Sequence, residues 1–475
     1  MSLRFIILAW ALVLQLLSTA QAQQPPWSNW DQEKAFAESQ KRLAAGKDPL
    51  PGQRDCFWRY GPVSADPYIN IAYPDGATFY WSAVFSIPDG ARMYIEADYP
   101  KARYSSFITY DYMGAPLDAV ADYLFKPVSG SVNPYLPGVS RDASNRRYRL
   151  EVVSTPLGRP IPWGTYMKGQ TREQIHAPPQ PNNGQQTLMY RIYAGDRGTD
   201  ETAGAGLPKI FMTTKEGKML GGREACAALR TAQPVSLDQG ALATPRDFLY
   251  KLTEQARERM GPMAPATNPP NWSKSSEDMS RYAIYTGETR VATGEQKRVG
   301  SFYANLDNQY LRAFLHRKFG EVFVLRAKAP TTPKTYAGGG VWNDNADLRY
   351  WSWCSQQGFG SGRVNTCLFD EQIPVDRQGF YTLVVSNAKD RPRNAIPECG
   401  VAWLPIADVG DGTGEADMGF IVLRHMLGAN QFPQAIQGVK SQSSIQQDMG
   451  PYAPRGRYTT VASFEAFSPC LIEQR

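Results

Sequence analysis

Two groups of side chains in this sequence could carry acid–base chemistry. Glu96 and Asp98 stand two residues apart in the alternating segment M-Y-I-E-A-D, so a strand there places both carboxylates on one face. Paired carboxylates perform glycoside hydrolysis. His425 directly follows Arg424, and a positive neighbour lowers the pKa of an imidazole toward that of a general base. Asp98 and His425 are therefore the candidate catalytic residues, and the alternatives are a charged sheet face and a hydrogen-bonded structural histidine.

A motif of arginine followed by tyrosine occurs twice and could bind an anion. It reads A-R-Y-S-S at Arg103 and Tyr104, and L-R-Y-W-S at Arg349 and Tyr350. The planar guanidinium can hold a carboxylate or a phosphate with two parallel hydrogen bonds. The alternative is a buried ion pair with a carboxylate of the same copy, such as Asp111, that anchors the strand end. Because both copies contain the motif, we favour this structural role.

The second motif continues with two tryptophans, Trp351 and Trp353, on the strand face opposite Tyr350. Exposed indole rings would form a platform for a sugar ring or another flat ligand, with Arg424 as a further polar contact. The alternative is that both rings belong to the core of a sandwich, beside a disulfide-bonded Cys354.

The loop D-V-G-D-G-T-G-E-A-D is rich in oxygen ligands and glycine, a composition that suits calcium in an exported protein. Its candidate ligands are Asp408, Asp411 and Asp417. The loop lacks the ligand spacing of an EF-hand, and the alternative is an ordinary connection between strands. We predict no other cofactor.

The chain contains six cysteines and three histidines. In an oxidising compartment an even number of cysteines predicts disulfides, and the absence of a C-x-x-C pair disfavours zinc. Cys354 and Cys367 are close enough in sequence to join neighbouring strands. Three pairings remain open for the other four, which are Cys56, Cys226, Cys399 and Cys470.

The N-terminus has the form of a secretory signal, with Arg4, an apolar stretch and Ala20-Gln21-Ala22. We expect cleavage after Ala22 and a periplasmic or extracellular location. The apolar stretch is too short to span a bilayer comfortably, and no later segment is long and apolar enough, so we expect no integral membrane segment after cleavage. The net charge of +6 is spread along the chain, which argues against a nucleic-acid partner.

The sequence contains an internal repeat. A segment that ends V-V-S at Ser154 matches one that ends V-V-S at Ser386. Three matches occur in the same order with offsets of about 230 to 250 residues, which indicates duplication. The matched arginines are Arg103 with Arg349 and Arg191 with Arg424, and a weaker match joins Tyr68 with Tyr310.

Short alternating strands with P-D-G turns follow Phe57 and predict sandwiches rather than a parallel sheet. A capped, amphipathic helix from Thr244 to Gly261 and the Pro-rich segment after it separate the copies. We therefore predict an all-β protein of two tandem, related, antiparallel and jelly-roll-like β-sandwich domains with a helical bridge. The predicted divisions are a signal peptide (1–22), an N-terminal helical segment (23–55), the first repeat (56–221), the bridge and linker (222–272) and the second repeat (273–475).

The phrases Y-P-K-A-R-Y-S-S-F-I-T-Y-D, D-L-R-Y-W-S-W-C and W-L-P followed by V-L-R-H-M-L resemble those of uncharacterised exported bacterial proteins. They are also distantly similar to the tandem β-rich domain-of-unknown-function families of the twelve-fifty-four and twelve-fourteen type. The resemblance implies a jelly-roll-like sandwich and periplasmic or extracellular residence. It brings no catalytic residues with it.

The sequence lacks the motifs of an α/β-hydrolase, a zincin, a P-loop enzyme and a c-type cytochrome. We expect a ligand-binding or envelope-associated protein whose small-molecule or glycan ligand lies in a cleft between the copies, lined by tyrosine, tryptophan and arginine. The alternative is a carbohydrate-active hydrolase or lyase that uses a carboxylate or His425. A structural module of a surface assembly is a third interpretation.

Overall fold

A computed structural model describes residues 56–467 apart from ten gaps in that range. The predicted signal peptide (1–22), the N-terminal segment (23–55), the predicted helix at 244–261 and Cys470 lie outside the described residues. The gaps are 67, 71, 112–115, 159–169, 182–183, 232–265, 275–302, 342–345, 358–362 and 413.

The first copy folds into two packed sheets. One has the strand order β1-β2-β8-β4-β5 and the other β10-β9-β3-β6-β7. Its strands are β1 (Tyr60–Val63), β2 (Thr78–Phe85), β3 (Arg92–Asp98), β4 (Ala102–Tyr110), β5 (Pro116–Ala121), β6 (Arg147–Val153), β7 (Gln174–His176), β8 (Gln186–Gly195), β9 (Lys209–Thr213) and β10 (Met219–Gly221).

The second copy repeats this arrangement, with sheets ordered β11-β12-β18-β14-β15 and β17-β16-β13-β19. Its strands are β11 (Ser273–Lys274), β12 (Asn308–His316), β13 (Val322–Lys328), β14 (Leu348–Gln356), β15 (Val364–Phe369), β16 (Phe380–Ser386), β17 (Val401–Pro405), β18 (Met418–Gly428) and β19 (Arg455–Thr459).

Helices are few and short. None in the part of the chain that the structure describes is long and apolar enough to cross a bilayer. The α-helices are Gly222–Ala228, Ile445–Met449 and Val461–Phe467, and the 3₁₀ helices are Asp122–Leu124, Arg317–Phe319, Ala388–Asp390, Pro397–Cys399, Ile436–Gly438, Gln442–Ser444 and Gly450–Tyr452.

The predicted tandem β-sandwich fold is confirmed, and sheet β11-β12-β18-β14-β15 of the second copy repeats the strand order of sheet β1-β2-β8-β4-β5 of the first. Each copy also contains one parallel pair, β6 with β7 and β16 with β17, where antiparallel pairing was expected. A long connection precedes the second strand of each parallel pair, as parallel pairing requires.

The predicted match of Tyr68 with Tyr310 is wrong. Tyr310 is opposite Arg424 in the second copy, and Tyr80 is opposite Arg191 in the first. Because Arg191 and Arg424 correspond, Tyr80 is the counterpart of Tyr310.

Alternation along the strands builds each core. In β2, Phe79, Trp81 and Phe85 are buried between the sheets of the first copy, whereas Tyr80 is on the other face. Truncating a buried tryptophan of this kind costs about 3–5 kcal/mol because it leaves a cavity. The opposite faces of two sheets, β1-β2-β8-β4-β5 and β11-β12-β18-β14-β15, are the ones that contact the other copy.

The structure contains a disulfide between Cys354 and Cys367, as predicted, at directly opposed positions of β14 and β15. A second disulfide joins Cys56 to Cys226. It connects the segment before β1 to the helix Gly222–Ala228, and the two residues are 170 apart in sequence. Both bridges are consistent with an oxidising compartment.

Candidate functional site

Five of the predicted binding residues lie where sheet β1-β2-β8-β4-β5 of the first copy meets sheet β11-β12-β18-β14-β15 of the second, a region that we call the seam. Alternation in β4 and β14 directs the tyrosine of each motif at the facing sheet, and the arginine lies near the start of each strand. The fifth residue comes from β18. The five are Arg103, Tyr104, Arg349, Tyr350 and Arg424.

Arg103 and Arg349 bind one another's backbone across the seam. Nη1 of Arg103 donates to the carbonyl of Arg349 at 3.1 Å, and Nη1 of Arg349 donates to the carbonyl of Arg103 at 3.0 Å. Arg103 also forms ion pairs with Asp370, at 3.0 Å, and with Glu371. Arg349 pairs with Asp122 at 3.2 Å.

These ion pairs correct the sequence-based expectation that each arginine pairs with a carboxylate of its own copy, such as Asp111. The partners come from the opposite copy because Asp122 and Asp370 follow β5 and β15, the strands next to the two motifs. Each carboxylate also binds its own copy: Asp122 accepts from the backbone N–H of Ser105 at 2.7 Å, and Asp370 accepts from that of Trp351 at 3.3 Å.

The two arginines differ in their remaining contacts. Nε of Arg103 donates to Thr335 Oγ1 at 2.7 Å. Arg349 instead lies over the rings of Tyr123 and Tyr135, at 5.8 and 5.7 Å from the ring centres. Burial raises the pKa of the Asp122 carboxyl to about 6, against the opposing effect of the Arg349 charge. A buried pair of this kind fixes how two surfaces fit, and removing one member leaves an uncompensated charge.

A second pair of arginines crosses the seam in the same reciprocal way. Nη2 of Arg191 donates to the carbonyl of Tyr303 at 2.7 Å, and Nη2 of Arg424 donates to that of Tyr73 at 2.9 Å. Tyr73 and Tyr303 both have left-handed backbones, with φ of 54° and 55°. The strained turn therefore recurs in both copies, and it presents a carbonyl to the arginine of the other copy.

One position breaks the symmetry of the seam. In the first copy, the backbone N–H of Ala194 donates to the carbonyl of Ala77. In the second copy, the backbone N–H of Leu427 donates to the carbonyl of Asp307. Asp307 therefore occupies the position that Ala77 has in the first copy. The Tyr104 hydroxyl donates to Asp307 Oδ2 at 2.5 Å. Burial raises the pKa of both groups. Tyr350 is the counterpart of Tyr104. The residue that corresponds to Asp307 is Ala77, whose side chain cannot accept a hydrogen bond from the Tyr350 hydroxyl.

The seam is closed. The five predicted binding residues are each at most 3% exposed, and their polar contacts run between the copies. The expected ligand cleft between the copies is therefore not formed by these side chains. They hold the two sandwiches together.

Trp351 and Trp353 lie in the core of the second sandwich. Trp351 Nε1 donates to the carbonyl of Pro330 at 3.1 Å, and Trp353 Nε1 donates to the Tyr381 hydroxyl at 2.9 Å. Because the strand face opposite Tyr350 points between the two sheets, neither ring forms the exposed platform that a flat ligand would need.

The candidate acid–base groups do not come together. His425 is 1% exposed, and its Nδ1 accepts from the backbone N–H of Ile436 at 3.2 Å. Burial lowers the pKa of His425 to about 3, so the imidazole is neutral near pH 7. The neighbouring Arg424 points to the opposite face and is not the cause. Asp98 lies in the first sandwich, on the outer sheet, at 3.5 Å from Arg147.

The other acidic candidates have protein partners or stand apart. Glu96 accepts from Nε of Arg149 at 2.6 Å. Asp411 accepts from the backbone N–H of Glu415 at 3.0 Å, while Asp408 is exposed. Asp408, Asp411 and Asp417 do not converge on one point among the described residues. Calcium binding by this loop stays a prediction.

Among the described His, Cys, Asp and Glu side chains, the one group close enough to share a metal ion is Asp75 with Cys354 and Cys367. The two sulfurs are joined in a disulfide, so they are not thiolate ligands. Asp75 instead accepts from the Ser352 hydroxyl at 2.5 Å across the seam. This group is therefore a structural contact.

A cavity of about 420 Å³ lies beside the Cys56–Cys226 disulfide, and it was not predicted. One wall comes from the segment before β1 and the other from the helix Gly222–Ala228 and the residues after it. Among the described residues, the lining contains three arginines and no acidic side chain. We call it the arginine cavity, and its lining residues are Cys56, Arg59, Arg223, Cys226, Ala227, Arg230 and Thr231.

The sequence contains a pattern from which one wall of this cavity could have been predicted. Cys226 and Ala227 lie three and four residues after Arg223, which places the three on one face of a helix. Arg59 has no such signal, because it belongs to a distant part of the chain, which the Cys56–Cys226 disulfide joins to this helix.

Comparisons with solved structures find chains that are similar to this one. No family model and no curated protein matches the chain. An uncharacterized protein from Burkholderia cenocepacia is similar at 11% identity over 94% of this chain and 92% of that one, with a TM-score of 0.44. A protein from Vibrio parahaemolyticus is similar at 12% identity over 81% of this chain and 89% of that one, with a TM-score of 0.36.

Proposed function

We propose that this protein is an exported binding protein that holds a small anionic ligand in the arginine cavity. The observation that carries the proposal is the lining, because three of its seven described residues are arginines, namely Arg59, Arg223 and Arg230. Arginine is always charged and presents donors in a fixed fork, which makes it the preferred residue for carboxylate and phosphate recognition. A cavity of about 420 Å³ is within the usual range for small molecules.

Two further features support the proposal. The Cys56–Cys226 disulfide joins the two walls of the cavity, so an oxidising location outside the cytoplasm suits its assembly. The predicted signal peptide at 1–22 gives the route of export. Membership of the tandem domain-of-unknown-function families, which the sequence resembles, belongs to the same proposal.

The alternative, a carbohydrate-active hydrolase or lyase, has less support. Such an enzyme needs two titratable groups that converge on one substrate. Asp98 and His425 lie in different sandwiches, the first in an outer sheet and the second inside a core.

The test is a thermal unfolding screen of the oxidised protein with inorganic phosphate, sulfate, citrate, acetate and glucose. A ligand at about 100 times its Kd adds roughly 2.7 kcal/mol to the free energy of unfolding. We expect at least one anion to raise the melting temperature and glucose to leave it unchanged. The triple variant Arg59→Gln/Arg223→Gln/Arg230→Gln should lose this response.

The matched control is Arg457→Gln, which removes the same charge from an exposed position of β19. It should keep the response to anions. A protein whose melting temperature responds to no anion, or a triple variant that responds like the unchanged protein, would refute the proposal.

A further inference from the structure

We infer that the Cys354–Cys367 disulfide is a site of thiol–disulfide exchange, at which a dithiol attacks Cys367 and Cys354 leaves as a thiolate beside Arg424. This inference goes beyond the proposed function and does not depend on the arginine cavity. Three observations carry it. The corresponding strand pair of the first copy has no disulfide, the two cysteines differ in exposure, and a buried guanidinium contacts one of the sulfurs.

The first copy forms the same strand pair without a disulfide. Ile108 of β4 corresponds to Cys354 of β14, because both lie at the same distance from the arginine of the R-Y motif. Ile108 is opposite Ala119 of β5, and both side chains are buried. In the same way, Cys354 is opposite Cys367 of β15. The strand pair therefore folds without a covalent bridge, which indicates that the bridge of the second copy has a further role.

The two cysteines of the bridge differ in exposure. Cys354 is 0% exposed, whereas Cys367, in the edge strand β15, is partly exposed. Gly76 of the first copy lies against Cys367, so the bridge is at the contact between the copies. In the disulfide of Cys56 with Cys226, both residues are buried. Exchange requires direct attack of a thiolate on a sulfur atom, so an external thiolate reaches the bridge at Cys367.

A buried guanidinium contacts the sulfur that is released. Nη1 of Arg424 donates to Cys354 Sγ and is 3.8 Å from Cys367 Sγ. A positive neighbour stabilises a thiolate, and a more stable thiolate is the better leaving group. Asp75 opposes this effect, because its carboxylate lies within 4.8 Å of both sulfurs. That carboxylate accepts from the Ser352 hydroxyl at 2.5 Å and from Nη1 of Arg424 at 3.4 Å, which weakens its effect on the sulfur.

The exchange balances with a dithiol as the reductant. One thiolate of the dithiol attacks Cys367 Sγ, the disulfide bond breaks, and Cys354 leaves as a thiolate that pairs with Arg424. The second thiol of the dithiol then gives its proton to solvent and attacks the dithiol sulfur that is bound to Cys367. The dithiol becomes a disulfide and gives two electrons to the protein, and the Cys367 thiolate takes a proton from solvent.

Reduction should change the charge at the seam and leave the fold intact. Nη2 of Arg424 donates to the carbonyl of Tyr73 in the first copy, and this contact does not involve the bridge. The strand pair of the first copy shows that opposed side chains without a covalent bond hold the same geometry. The reduced protein therefore gains a thiolate beside Arg424, at the contact between the copies.

The experiment is reduction of the oxidised full chain with dithiothreitol in native buffer, with samples quenched by acid, alkylated and mapped by mass spectrometry. We expect the Cys354–Cys367 bridge to open about tenfold or more faster than the Cys56–Cys226 bridge, because only the first has an exposed cysteine. Circular dichroism should show that the protein is still folded when the first bridge has opened. Equal rates, or opening only together with unfolding, would overturn the inference.

Two single-cysteine variants test which sulfur is attacked. Cys354→Ala leaves the thiol of Cys367, which should form a mixed disulfide with oxidised glutathione in native buffer. Cys367→Ala leaves the thiol of Cys354, which should react only after urea is added. A Cys367→Ala variant that reacts as fast as Cys354→Ala in native buffer would contradict the direction of the exchange.

A further pair of variants tests the guanidinium. Arg424→Gln should slow the opening of the Cys354–Cys367 bridge several-fold, because the leaving thiolate loses its positive neighbour. Arg191→Gln is the matched control, since it removes the corresponding arginine of the first copy and should leave this rate unchanged. Equal rates in the two variants would show that Arg424 does not assist the exchange. The single-cysteine variants decide the direction of attack even where Arg424→Gln does not fold.

Discussion

The seam and the arginine cavity use the same side chain in opposite surroundings. In the seam, Arg103 and Arg349 are buried, and each faces a carboxylate and a carbonyl of the other copy. In the cavity, Arg223 and Arg230 are exposed, and the described lining contains no acidic residue. A buried arginine that is paired with a carboxylate stabilises the fold, whereas we propose that the exposed arginines of the cavity bind a ligand. The predictions below test this division.

The largest effect should come from Arg103→Met, which removes the buried cation that pairs with both Asp370 and Glu371. We expect a loss of about 3–5 kcal/mol in the free energy of unfolding, measured by urea denaturation. Arg92→Met is the control, because its pair with Glu151 is on the surface and contributes about 0–1 kcal/mol. Equal losses in the two variants would contradict the structural role of the seam.

The next effect concerns His425, whose pKa burial lowers to about 3 from its ordinary 6.5. The folded state resists protonation, so the stabilisation is complete above pH 6.5 and falls as the pH drops toward 3. The slope is about 1.4 kcal/mol per pH unit, or about 3 kcal/mol between pH 6.5 and pH 4.

His425→Asn keeps an acceptor for the N–H of Ile436 and cannot be protonated, so its urea midpoint should fall less on acidification. Asp122 acts in the opposite direction, since its pKa is raised to about 6 and its contribution decreases as the pH rises from about 4 to 6. Both proteins contain Asp122, so their difference isolates the histidine. Parallel pH profiles would show that His425 takes up its proton at the same pH in the folded and the unfolded state.

A smaller effect should separate the two halves of the seam itself. Tyr104→Phe leaves Asp307 buried without the hydroxyl donor and should cost about 1.5–3 kcal/mol. Tyr350→Phe is the matched variant, because Ala77 offers its hydroxyl no acceptor, and it should cost about 0.5 kcal/mol or less. Identical costs would mean that the Asp307 contact does not stabilise the seam.

The smallest effect on stability should come from the cavity. Arg230→Gln changes an exposed side chain, so the free energy of unfolding should stay within about 0.5 kcal/mol of the unchanged protein. The rise in melting temperature that anions cause should nevertheless become smaller in this variant. A variant that loses stability and keeps its affinity for anions would show that Arg230 stabilises the fold and does not bind the ligand.

Local pattern was enough to predict much of the fold. Alternation in segments such as β2 and β14, with turns between them, indicates sandwiches, and the repeated R-Y motif shows that there are two. The pairing of Cys354 with Cys367 follows from neighbouring strands. The parallel pairs β6–β7 and β16–β17 were missed, because the direction of a strand after a long connection has no local signal.

The candidate site was harder to predict because it depends on how distant segments pack. The partners of Arg103 and Arg349 are set by the contact between two sheets, and no spacing along one strand reveals it. The spacing of Trp351 and Trp353 places both rings on one face of the strand. It does not show whether that face is exposed or covered by another sheet. Arg59 reaches Arg223 only through a disulfide that spans 170 residues.

The reciprocal contacts of Arg103 and Arg349 have an evolutionary consequence. A contact in which each copy gives an arginine and receives one is what a twofold homodimer of a single sandwich would form. The chain therefore has the form of a gene fusion that joined two identical subunits. In a homodimer every substitution appears in both subunits. The two halves of the seam differ, because Tyr104 meets Asp307 whereas Tyr350 meets Ala77. Such a difference could arise only after the two subunits became one polypeptide.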